Sequence, residues 1–313
     1  MVWEQLLLQT IEDEDSTMQT IVGIVGLGNA GSAMATALSG KMPLVGFDAN
    51  PERRHAVAHL ALEWVPSLAQ LANRVGTVVL SLPKPEISKA VVTELVQGAK
   101  APELIIETST ITPQVAQELG TICQAGQVRF IDAAIANGVA SMAAGKITFL
   151  VGGEPDDVAR AHPTLEGMAE AIMHLGPVGA GMGAKVVVNA VAHALMVVLI
   201  EAGAMATKLG LPMQTLVDIL RRPEGLIRPL THRVQERIMQ DNYVGGMSVS
   251  NARKDSTLAL QTAQELGVPL YAIQVSHTPY EIAEALGMGQ LDYAVLATLW
   301  EQWADIQFSS KTQ

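Results

Sequence analysis

Cysteine occurs once in the 313 residues, at Cys123, so the chain can form no intrachain disulfide and offers no set of thiolates to a metal. A lone thiol suits a reducing compartment, and a cytoplasmic protein is expected, with Cys123 acting as a small packed hydrophobe. Basic clusters are missing too. Twenty Lys and Arg against 31 Asp and Glu leave a net charge of -11, and without grouped cations a nucleic-acid backbone is not an expected partner. The longest uncharged apolar stretch, residues 186–200, carries Asn189 and His193 and falls short of the roughly 20 residues that a bilayer requires. A buried helix with His193 in the core is expected there, and no membrane span. Residues 1–19 lack the pattern of a secretory signal, and their acidic run Glu12 to Asp15 reads as a flexible leader, with Met18 as an alternative start. No H-E-x-x-H grouping points to a metal, and the G-x-S-x-G signature of many hydrolases does not occur.

What is present is apolar and periodic. With 49% hydrophobic and 16% charged residues, the chain has material for two cores, and two domains are expected after the leader, 20–176 and 177–313. Short β-branched runs alternate with helical segments in the first: strands are expected at 20–25, 44–47, 77–81, 104–107, 128–132 and 147–151. Helix starts fall at Asn50-Pro51, Pro66-Ser67 and Thr112-Pro113, where a capping side chain meets a proline tolerated in the first turn. This is the pattern of an α/β domain with a doubly wound parallel sheet. After Gly176-Pro177 the β signals fade, and an all-helical domain is expected, with arginines between 218 and 237 partly on exposed helix surface.

The first strand runs into Gly26-Leu27-Gly28-Asn29-Ala30-Gly31, a small-residue helix follows, and the next strand ends at Asp48. Gly26 permits the sharp turn, Gly28 lets backbone approach a pyrophosphate, and Gly31 lets the helix pack against the strand, as in the Rossmann dinucleotide fold. The helix start offers unpaired N–H groups to phosphate. Asp48 stands where a carboxylate accepts from a ribose 2′-hydroxyl, which favours NAD; Arg53 and Arg54, just beyond it, leave NADP open.

Further motifs follow in order: Ser81-Leu82-Pro83; Ser109 to Pro113, including Thr110; Asp132 to Gly138 and Gly145 to Gly153; Gly179 to Asn189; and Lys254-Asp255. With the glycine turn, this series resembles the β-hydroxyacid dehydrogenases over about residues 21–269. The resemblance implies that Leu82, Pro83 and Thr110 line the nicotinamide side, that Lys254 approaches the cofactor, and that Ala136, Asn137 and Gly138 form the substrate loop. It implies a catalytic Lys185 assisted by Asn189, in a cleft between the domains. From the residues alone, Lys185 reads either as a lysine snorkelling at a helix start or as a desolvated general acid/base. Asn189, four residues on, shares its helix face.

Two departures matter. The family's Ser-Gly-Gly is Ala136-Asn137-Gly138 here, preceded by Ala134 in place of proline, so a serine hydroxyl that would hold the substrate carboxylate is replaced. The first of the family's two asparagines after the lysine is Val188. An imine reductase of the same fold, using NADPH, is the alternative enzyme, against which Lys185 and Asp48 both speak. A dinucleotide-binding sensor without turnover is the alternative of another class. The long apolar helices imply burial between copies, and a homodimer or homotetramer acting on a small-molecule substrate is expected.

Overall fold

The computed structural model describes residues 20–136 and 138–309. Asn137 lies outside the described residues, as do the leader and residues 310–313. The chain divides into two compact units, one reaching to Asn189 and the other beginning at Ala190.

The first unit is an eight-stranded sheet in the order β3-β2-β1-β4-β5-β6-β7-β8. Its strands are β1 (Val22–Val25), β2 (Leu44–Phe47), β3 (Leu62–Trp64), β4 (Thr77–Leu80), β5 (Leu104–Glu107), β6 (Arg129–Ile135), β7 (Ile147–Gly152) and β8 (Ala169–Gly176). The central strands are apolar runs buried on both faces, as a sheet covered by helices requires, and every residue of β1, β4 and β5 is buried. Helices α1 (Asn29–Leu38), α2 (Arg53–Val57), α3 (Leu68–Ala72), α4 (Pro85–Gln97), α5 (Pro113–Ala125), α6 (Val139–Ala143) and α7 (Pro155–Glu166) connect them. One buried layer gathers around Leu27, Met34, Leu38 and Phe149, the other around Leu71, Leu80, Leu95 and Leu119. Ser67 and Thr112 cap α3 and α5 through the N–H groups of Gln70 and Val115.

Two strands lay beyond the sequence pattern. β3 has only three residues, and β8 is mostly exposed and poor in β-branched residues. The sheet is also not wholly parallel, because β6 and β7 run antiparallel. Only residues 136–146 connect them, with the single short helix α6, and a parallel crossover needs a dozen residues or more.

Helix α8 (Ala180–Lys208) begins in the first unit and continues into the second. Sheet gives way to helix after Gly176, whereas the units divide within α8. The second unit adds α9 (Met213–Leu220), two short irregular helical segments at 223–227 and 229–235, then α10 (Val249–Leu266), α11 (Ala272–Ala285) and α12 (Ala297–Ala304). Glu201 of α8 caps α11, accepting from the N–H groups of Tyr271, Ala272 and Ile273 at 2.7, 2.9 and 3.0 Å. Burial pushes its carboxyl up, but these three bonds outweigh it and hold Glu201 below the usual carboxylate range. Arg233 is the buried exception among its neighbouring arginines: it pairs with fully buried Asp292 at 3.1 Å and lies over the Tyr293 ring.

The expectation of a buried helix at 186–200 is corrected. Val187 and Val191 are each 63% exposed, Met196 and Ile200 are exposed, and so is His193. By length and composition α8 could also cross a membrane. The uncharged stretch was short only because Lys185 and Glu201 bound it; the helix itself runs past both.

Candidate active site

The glycine turn takes its shape from contacts that only glycine permits. Gly26 has φ +89°, and a Cβ there would stand 2.1 Å from the Ser81 carbonyl oxygen. A Cβ on Gly31 would stand 1.8 Å from the carbonyl oxygen of Gly26. At Gly28 nothing lies within 4 Å of the same point. No side chain caps α1, and its first turn holds no acid, so its N-terminal N–H groups and dipole are left for an anion.

A groove of about 490 Å³ opens over this turn, lined by Gly26, Gly28, Asn29, Ala30, Asp48, Arg53, Leu82 and Pro83 among others. Asp48 closes one end: its Oδ2 accepts from the Leu27 N–H at 2.7 Å and its Oδ1 from the Asn50 N–H at 2.8 Å. Leu27 itself is core, contributing only this main-chain contact. Open space at Gly28, an uncapped helix start and a carboxylate at the far strand end fit a dinucleotide.

The two loops that the resemblance assigns to the nicotinamide side are tied together. The Leu82 N–H donates to Ser109 Oγ at 2.8 Å, and the Ser109 N–H donates to Glu107 Oε1 at 2.7 Å. Glu107 is fully buried, and burial pushes its carboxyl up to about 7, against hydrogen bonding from Ser109 and with Asp132 adding repulsion. Thr110 is exposed at the start of its loop and does not line the groove.

Lys185 and Asn189 lie one turn apart on α8, both half-buried. Burial alone holds the Lys185 ammonium below the usual lysine value. The helix start is fixed by Asp132, whose two carboxyl oxygens accept from the N–H groups of Gly179 and Met182. Of the residues expected to form the substrate loop, Ala136 is exposed with its N–H bonded to the Thr148 carbonyl, and Gly138 precedes α6 with open space around it. In the second unit Lys254 is exposed and pairs with Asp255 at 3.1 Å. Cys123 is buried, its thiol pushed up to about 12 by burial and by the charge of Glu107. Among the described residues no three His, Cys, Asp or Glu gather as a metal site.

Glu107 and Asp132 escaped sequence reasoning as working residues. The signal was available, since each is an acid at or near the end of an apolar strand run; what could not be read was which backbone N–H groups each would meet.

A doubly wound sheet with an open glycine turn, an uncapped helix start and an aspartate just past the end of the second strand defines a dinucleotide-binding protein. Residues 21–176 match the model of the NAD binding domain of 6-phosphogluconate dehydrogenase. Residues 179–300 match that of the NAD-binding domain of NADP-dependent 3-hydroxyisobutyrate dehydrogenase. A probable 3-hydroxyisobutyrate dehydrogenase of Mycobacterium tuberculosis is 30% identical, over 79% of this chain and 87% of its own. The solved M. tuberculosis 3-hydroxyisobutyrate dehydrogenase with L-serine is 27% identical with a TM-score of 0.62, covering 90% of this chain and 99% of that one. An imine reductase from Pseudomonas sp. shares the fold, with a TM-score of 0.80 at 19% identity, over 90% of this chain and 99% of that one. The chain belongs to the β-hydroxyacid dehydrogenase family, and it is an NAD(P)-dependent oxidoreductase.

Proposed function

We propose that the protein transfers hydride reversibly between a nicotinamide and the alcohol or carbonyl carbon of a small hydroxy acid or related polar molecule, with Lys185 moving the proton. The observation that carries the reading is Lys185 itself: a half-buried lysine in the first turns of α8, held below its usual pKa by desolvation. The cofactor, when bound, accepts or supplies the hydride. In alcohol oxidation neutral Lys185 takes the hydroxyl proton, and in reduction its ammonium returns one to the oxygen. Asn189, one turn on, orients the lysine or the substrate oxygen through its amide. A lysine at this position favours alcohol chemistry over the imine reductase reading and over a sensor without turnover.

Gly26, Gly28, Asn29, Ala30 and Gly31 would hold the diphosphate, Leu82, Pro83 and Thr110 would serve the nicotinamide side, and Lys254 would approach the cofactor. Asp48, with both oxygens already organised by backbone N–H groups, favours a ribose hydroxyl over a 2′-phosphate and so NAD over NADP. Ala136, Asn137 and Gly138 are assigned to the substrate. Without a serine hydroxyl there, the loop has less to offer a carboxylate than the family pattern. The exposed apolar face of α8 suits a homodimer or homotetramer, and the lone buried thiol suits the cytoplasm. The test is oxidation of 3-hydroxyisobutyrate, L-serine and a panel of hydroxy acids and hydroxy amides with NAD or NADP. Turnover of at least one alcohol supports the reading, and reduction of cyclic imines with no alcohol turnover overturns it.

A further inference from the structure

Asp132 ends the buried part of the strand that leads into the substrate loop, yet its carboxyl serves the helix that carries Lys185. Oδ1 accepts from the Gly179 N–H at 2.6 Å and Oδ2 from the Met182 N–H at 2.8 Å. Both donors belong to the entry and first turn of α8, and Lys185 follows Met182 by three residues, one turn further on. Capping acids normally come from the residue just before a helix; this one comes from 47 residues earlier in the chain.

The fit around the carboxyl is close. A Cβ on Gly152 would stand 2.5 Å from Oδ1, and one on Gly181 would stand 2.9 Å from Oδ2 and 2.2 Å from the Leu150 carbonyl oxygen. Gly179 adopts φ +98° to bring its N–H in. Asp132 is fully buried, and both of its oxygens act as acceptors, an arrangement that suits the ionised form. The other carboxyl facing it is Glu107, paired with it in register on β5.

We propose that Asp132 is a positioning residue for Lys185, its carboxyl locking the first turn of α8 to the strand that feeds the substrate loop so that lysine and substrate share one anchor. The proposal rests on the reading of Lys185 as the proton carrier. A carboxylate at a helix N-terminus offsets the positive end of the dipole. Removing it leaves Lys185 facing that positive end alone, which favours the neutral amine.

The test is Asp132→Asn in the full-length protein with NADH bound, with lysines reductively methylated by 13C-formaldehyde and the Lys185 resonance assigned by its loss in Lys185→Ala. The titration midpoint of Lys185 falls by about half to one pH unit, while the NADH dissociation constant changes less than about threefold. An unchanged midpoint in a variant that still binds NADH overturns the proposal. Should Asp132→Asn fail to accumulate as folded protein, the wild type answers instead. Its Lys185 resonance carries a second inflection at the pH where the Gly179 and Met182 amide shifts report titration of Asp132, and a Lys185 curve with no such inflection is the contrary result. Full turnover by Lys185→Ala would remove the lysine as proton carrier without touching the Asp132 effect on its titration, so the two readings fail separately.

Discussion

Glu107 and Asp132 stand side by side, paired in register on neighbouring parallel strands, and both are fully buried. One supports the loop that carries Leu82, the other the helix that carries Lys185. Burial raises both carboxyls, and that of Glu107 reaches about 7. The folded state therefore binds a proton at Glu107 that the unfolded chain releases near 4.5. This contribution to stability is fully present below about pH 4.5 and is lost as pH rises through about 7. A gap of that size corresponds to about 3 kcal/mol. Glu107→Gln, which keeps the shape and carries no charge, should flatten this dependence. Urea unfolding at pH 5 and pH 8 measures it, and an equal pH slope in both proteins would show that Glu107 does not titrate as described.

Gly28 and Gly31 should fail in opposite ways when replaced by alanine. At Gly31 the new methyl meets backbone at 1.8 Å, and the cost should exceed the 1–3 kcal/mol typical of overpacking. At Gly28 it meets nothing of the protein, so thermal stability should be kept and NADH binding lost. Melting curves and NADH fluorescence titration on the two variants separate a packing glycine from a ligand-facing one.

Asp48→Ala strands the N–H groups of Leu27 and Asn50 and removes the ribose acceptor. Loss of hydrogen bonds to a charged group, about 1.5–3 kcal/mol, corresponds to a 10- to 100-fold rise in KM for NADH. KM for NADPH should rise less, since the repulsion from its 2′-phosphate is relieved. A wild-type preference for NADPH would refute the role given to Asp48.

The exposed face of α8 predicts self-association. Val187→Asp with Val191→Asp places two charges on positions that are each 63% exposed in the single chain, and burying an unpaired charge costs far more than it returns. Light scattering should show a dimer or tetramer for the wild type and a smaller species for the double variant. A wild-type monomer at micromolar concentration would remove the prediction.

Much of this molecule was legible in its residues. The β-branched runs at 44–47 and 104–107 became strands with those bounds, and the glycine turn folded as its spacing implied, because Gly26 and Gly31 each answer a local steric demand. β8 was not legible, since Ala169 to Gly176 carries little apolar alternation and gains its pairing from β7. The antiparallel step at β7 was missed because strand direction depends on the length of a connection, which a run of apolar residues does not encode. The exposure of Val187 and Val191 was legible only in part: the excess of apolar helix implied burial between copies, but an apolar run does not encode which of its positions its own chain leaves uncovered. Lys185 and Asn189 were readable as a pair from their four-residue spacing, whereas the anchoring of their helix by Asp132 depends on a contact across 47 residues.

The central claim is that Lys185 carries the proton, and Lys185→Ala tests it most directly. Turnover of whichever alcohol the wild type oxidises should fall by about 10²- to 10⁴-fold, the usual worth of a general acid/base, while NADH binds as before. The wild-type kcat/KM for oxidation should climb with pH to a plateau reached below the usual lysine pKa, since burial favours the neutral amine. Turnover by Lys185→Ala within a few-fold of the wild type, with the same pH profile, would contradict the account.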